Sequence, residues 1–124
     1  PAAPEVKPPV HDSADVLKTV REWAAAWSSK NVKAYLDFYA DDFRPPAGES
    51  RESWAATRSE RISKPKSIQV EISNTKVTFI DATHATVSFR QSYRASHLKT
   101  SSRKTLLLVN SKNKWLIQEE RSDK

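Results

Sequence analysis

Residues 32–44 read VKAYLDFYADDFR, four aromatics set among three aspartates. How this stretch is read decides the fold. Val32, Tyr35, Leu36 and Tyr39 recur at the three- and four-residue spacing of one helical face. Asn31, just before them, is a good N-cap. Asp37 falls off that face. The helix is expected to end at Asp41-Asp42, because carboxylates at a helix C-terminus oppose its dipole. Phe43 is then expected to fold back onto the core. On this reading the stretch is mainly architecture. Its aromatics close the helical side of an interior, and Tyr39 and Phe43 are placed to touch whatever that interior holds.

Upstream, Val16, Val20, Trp23 and Trp27 form the apolar face of a first helix that begins at Asp12 or Ser13. Ser28-Ser29-Lys30-Asn31 breaks it. Downstream, Arg44-Pro45-Pro46-Ala47-Gly48 is a loop holding the single glycine. Ser50 then caps a third helix with Trp54, Arg58 and Ile62 in register, ended before Pro65. After Pro65 the apolar period falls to two. Ile68, Val70 and Ile72 share one parity, whereas Val77 and Phe79 carry the other. One extra residue near Asn74-Thr75 would produce that slip, which predicts a bulge. Ala85, Val87, Phe89, Gln91 and Tyr93 line the next strand, after a turn at Asp81-Ala82-Thr83-His84. A loop at Ala95-Ser96-His97-Leu98 leads to the strand Arg103 to Val109, apolar on both faces at LLLV and therefore central. The last strand is Trp115 to Glu119. The expected class is α+β: three N-terminal helices packed on a strongly bent antiparallel sheet of about four strands.

The chain of 124 residues suits one domain. It is expected to divide into a Pro-rich linker at 1–11, the domain at 12–121 and a short charged tail at 122–124. The linker and the start at Pro1 without any Met suggest a piece of a longer protein. Cysteine is absent, which excludes disulfides, thiol nucleophiles and Cys-based metal sites. No apolar run approaches the roughly 18 residues of a membrane span, and no signal peptide is present. Net charge is +6, and it is concentrated. Residues 58–104 carry ten basic and three acidic side chains. Such an excess attracts anions or forms a solvated basic face.

Several segments resemble the nuclear transport factor 2-like superfamily: WAAAWSSKNVKAYLDFYADDFRPP, SRESWAATRSERISKP, VSFRQSY, SRKTLLLV and KWLIQEE. Within it they look most like the C-terminal domain of bacterial periplasmic L,D-transpeptidase-type proteins. The resemblance implies a cone-shaped fold, homodimers through the sheet, and an exported, periplasmic accessory domain linked to the cell envelope. It does not imply one activity, because this fold hosts both enzymes and binders.

The residues favour a binder. Trp54 and Arg58 lie one turn apart, Gln91 and Tyr93 share the Val87/Phe89 face, and Lys104 shares parity with Leu106 and Leu108. With Tyr39 and Phe43, these make an expected pocket for a small acidic or glycan-like ligand. The alternative is an isomerase- or dehydratase-like enzyme using a carboxylate in the cone, with Glu119 the best candidate. One of Glu119 and Glu120 should point inward, and beside Lys104 or Arg58 it would form an ion pair. His11, His84 and His97 fall in linker, turn and loop, away from any interior. No spacing of metal ligands occurs, and no cofactor is expected. A nucleic-acid role is disfavoured because the aromatics lie on apolar faces rather than among the basic residues.

Overall fold

The computed structural model describes residues 13–96 and 98–123. The expected linker, His11 and His97 lie outside the described residues. Three α-helices are described, all in the N-terminal half: α1 (Ser13–Ser28), α2 (Val32–Asp37) and α3 (Arg51–Ser63). Their starts follow the sequence. Asn31 Oδ1 accepts from Ala34 N–H, and Ser50 Oγ accepts from Ser53 N–H, each at 3.1 Å, satisfying donors that a first helical turn leaves open. The apolar stripe of α1 buries Val16, Val20, Trp23 and Trp27.

The sheet has five strands, not four: β1 (Tyr39–Arg44), β2 (Ile68–Phe79), β3 (His84–Ala95), β4 (Leu98–Ser111) and β5 (Lys114–Asp123), in the order β1-β5-β4-β3-β2. The extra strand comes from the stretch read as the end of a helix. α2 stops at Asp37, and the chain extends from Tyr39 to pair in parallel with β5. The sheet is therefore mixed. Ile117 N–H donates to Phe38 C=O at 2.7 Å and starts the pairing. Helical spacing would have put Tyr39 and Phe43 on one face with the aspartates against the dipole. The strand buries the same two aromatics and leaves Asp41 and Asp42 in water. Charged residues on this edge also discourage further strand addition.

β4 is the middle strand, as its two apolar faces require. β2 carries the expected bulge: register slips between Ser73 and Lys76, with Asn74 at φ 53°. The β4–β5 hairpin turns on Lys112 and Asn113, both left-handed at φ 54° and 66°. β5 runs on to Asp123, so residues expected to fray as a tail pair with β4 instead, Ser122 opposite Lys104. Phe89, Leu106, Leu108 and Ile117 are fully buried beneath α1 and α2. Each contributes about 1.5–3 kcal/mol by leaving water.

Candidate functional site

The register of β5 determines which carboxylate enters the core. Leu107 pairs with Glu119 and Leu108 with Ile117, which leaves Gln118 as an extra residue. Up to Ile117 the odd positions face inward. After the bulge the even ones do, so Glu120 points in and Glu119 points out. Glu119 lies on the β1–β5 margin, where Arg44 pairs with it at 2.8 Å. It does not enter the interior, which corrects its placing as the candidate catalytic group.

Glu120 is buried in a complete polar cluster. Lys104 Nζ donates to Oε2 at 2.6 Å, Tyr39 O–H donates to Oε1 at 2.8 Å, and Arg58 Nη2 stands 3.6 Å from Oε2. Tyr39 has one proton and gives it to the carboxylate. The Tyr35 hydroxyl, 3.0 Å away, therefore supplies the hydrogen of their pair. Trp23 Nε1 donates to the Tyr39 oxygen at 3.0 Å. Lys104 also rests over the rings of Trp23 and Trp27, a favourable cation–π position. Burial by itself would push the Glu120 carboxyl up, but the charges of Lys104 and Arg58 outweigh it and hold the group below its usual range. Burial, then the Glu120 charge, pushes Tyr39 well up, so it remains a donor.

Above this cluster opens a cleft of about 780 Å³ between the end of α3, α1 and the β3–β4 hairpin. Arg58, Arg61, Lys64 and Lys104 line it, and among the described residues no carboxylate does. Trp27, Tyr35 and Tyr93 give it aromatic walls. Gln91 is 7% exposed, and its Oε1 has no hydrogen-bond partner among the described residues. A buried acceptor left open costs about 1–3 kcal/mol unless a ligand or water supplies the donor. The cleft presents cations, π faces and an amide. Among the described residues that line it there is no histidine and no carboxylate, and Glu120 lies beneath its floor.

Of the residues expected at the pocket, Arg58, Gln91, Tyr93 and Lys104 meet there. Tyr39, Phe43 and Trp54 do not line it. They pack on one another with ring centroids 4.5–4.8 Å apart, below the floor. Trp54 still carries Arg58 over its ring at 5.8 Å. Sequence reasoning missed Arg61, Lys64, Trp27 and Tyr35. Arg61 lies three residues after Arg58 on the same helix, a spacing that puts both on neighbouring positions of one face. Of the histidines, His84 is held in its turn by Asp81, 3.1 Å from Nδ1. Among the described residues no group of three or more His, Cys, Asp or Glu could hold a metal ion. No described helix is long and apolar enough to cross a membrane.

Three helices over a curved five-stranded sheet, with a cleft at the mouth, define the nuclear transport factor 2-like (NTF2-like) class. A family model, the Cds6 C-terminal NTF2-like domain, matches residues 15–121, and the chain belongs to that family. Solved structures agree on the fold. Bdellovibrio bacteriovorus Bd1075 superposes with a TM-score of 0.79 at 24% identity, covering 88% of this chain and 39% of that one. The helical cell shape determining protein Pgp2 of Campylobacter jejuni, as its K307A mutant, gives 0.80 at 18% identity, covering 97% and 45%. A putative scytalone dehydratase from Novosphingobium aromaticivorans gives 0.72 at 13%, covering 90% and 84%. The chain thus spans less than half the length of the first two. A search of curated protein sequences finds no match.

Proposed function

We propose that this domain is a non-catalytic binding module of a larger exported bacterial protein, and that its cleft takes a small anionic, acidic or glycan-like ligand. One observation carries the reading: among the described residues four cations and no carboxylate line a cleft that also holds the Gln91 oxygen, without a hydrogen-bond partner there. Arginine forks pair with carboxylates, Gln91 accepts from a ligand N–H or O–H, and Tyr93 and Trp27 offer faces to a ring. An enzymatic reading would need a carboxylate facing the cleft with a raised pKa. Glu120 is beneath the floor, doubly neutralised and shifted the other way.

The setting is argued from likeness. Pgp2 is described as a helical cell shape determining protein, and the sequence resembles the C-terminal domain of periplasmic L,D-transpeptidase-type proteins. Both favour an envelope role, with the Pro-rich stretch as a tether to an upstream domain. Localisation of an enzyme by a tethered ligand-binding module raises the effective concentration of its substrate.

The test is an NMR titration with acidic sugars and peptidoglycan fragments on wild type and Arg61→Gln. Saturable shifts at Gln91, Tyr93 and Lys104, weakened in the variant, are expected. A cleft that ignores every anionic compound, or a domain that turns one over, overturns the reading.

A further inference from the structure

The basic excess of residues 58–104 divides in the fold. Arg58, Arg61, Lys64 and Lys104 go to the cleft, and a second set goes to the opposite side of the sheet. Arg90 and Arg103 are directly opposite across β3 and β4, and so are Arg94 and Lys99. Arg121, on β5, is opposite Thr105, two residues along from Arg103. All five are exposed; Arg90, Arg94, Arg103 and Arg121 each stand beside a buried residue of their strand, and Lys99 lies between Leu98 and Thr100 of the cleft wall, which places the five on the outer face. None of the five makes an ion pair among the described residues. Among the described residues their one polar contact is Arg90 Nη1 to Ser101 Oγ at 2.9 Å. Like charges directly opposite on a sheet are destabilising, yet this face repeats the arrangement twice. The acidic groups described at its margins are Glu71, opposite Ser92, and Glu119, two residues before Arg121 on β5 and paired with Arg44.

We propose that the outer face docks an extended acidic segment of a partner protein. The two cation pairs are four residues apart along their strands, with Ser92 and Ser101 facing each other between them. Four residues of strand span about 13 Å. A second extended chain has the same rise, so its alternate carboxylates stay in step with both pairs. Guanidinium forks accept them bidentately, and the serines supply hydroxyls. The face carries no aromatic on which bases could stack. A second copy stacked in register on this face would bring cations against cations, so the homodimer through the sheet that the resemblance implies is the competing occupant and an outcome of the experiment. Charge complementarity therefore selects an acidic partner, and this surface is separate from the cleft.

The experiment is fluorescence anisotropy with a labelled peptide of alternating glutamate and serine, against oligothymidylate and the unlabelled domain itself. Expected is saturable peptide binding that weakens as salt rises and drops at least about tenfold in Arg90→Gln/Arg94→Gln. Arg90→Glu should abolish it while leaving the melting temperature no lower, since the new carboxylate faces Arg103. Arg61→Gln, in the cleft, should leave peptide affinity unchanged, so failure here and failure of the cleft reading are distinguishable. Preference for the oligonucleotide, self-association that buries this face, or peptide binding indifferent to Arg90 and Arg94 would each overturn the proposal.

Discussion

Glu120 determines the polarity of the core. Its two oxygens satisfy Lys104, Tyr39 and Arg58, and removing it leaves a buried ammonium without its counter-charge. Glu120→Gln should therefore lose about 3–5 kcal/mol in urea unfolding, whereas Glu119→Gln, on an exposed margin, should lose under about 1 kcal/mol. The folded pKa of Glu120 lies below its ordinary value of 4.5. Its contribution is thus complete above that value and is lost as pH falls through the depressed folded one. Wild type should lose stability over that acidic window, and a Glu120→Gln variant should lack this part of the slope. The sequence left the choice between Glu119 and Glu120 open for a physical reason. The β2 bulge showed itself as a slip in apolar parity, but the β5 bulge falls where the strand turns polar, so no hydrophobic pattern records it. Gln91, Tyr93 and Lys104 rested on a choice of strand parity that the sequence also left open, since β4 is apolar on both faces; in the fold all three share the inward face with Phe89 and Leu106.

At the scale of elements, α1, α3, β2 and β3 were legible because each has a clear apolar period or a side-chain cap, and β4 because its apolar run on both faces marks a central strand. β1 was not. Tyr35, Tyr39 and Phe43 fit a helix at intervals of four, and the partner that makes a strand of 39–44 lies far along the chain, at Ile117 and Glu119. Arg51 reinforces that strand by donating from Nη1 to Ala40 C=O at 2.5 Å, tying α3 to β1. The β4–β5 hairpin holds a different lesson. Two left-handed residues in succession describe a turn that favours Asn-Gly, and Lys112 is strained there. Lys112→Asn with Asn113→Gly should raise stability by about 1 kcal/mol, read from the urea midpoint at constant slope. Loss of stability would mean that the Lys112 side chain makes a contact worth more than the strain.

Over the whole molecule, the charge of +6 is gathered on a cleft and an outer face with few compensating carboxylates. Self-repulsion of this kind weakens the compact state and is screened by salt. The melting temperature should accordingly rise by about 3 °C between low salt and roughly 0.15 M NaCl, a trend opposite to that of a fold held by surface ion pairs. A flat or falling curve would show that the cations are already neutralised. One feature of the topology also governs when the molecule can form. β1 precedes every other strand, but its only sheet neighbour is β5, the last to be made. Tyr39 and Glu120, which meet in the core, are 81 residues apart in sequence. The helices and the β2–β3 hairpin can organise from local sequence, but the first strand stays unpaired until Ile117 and Glu119 come into place. Contacts of such span slow folding, and an unsatisfied strand edge invites misassembly meanwhile. Asp41, Asp42 and Arg44 thus serve on the nascent chain as well as in the finished sheet: they keep that waiting strand soluble.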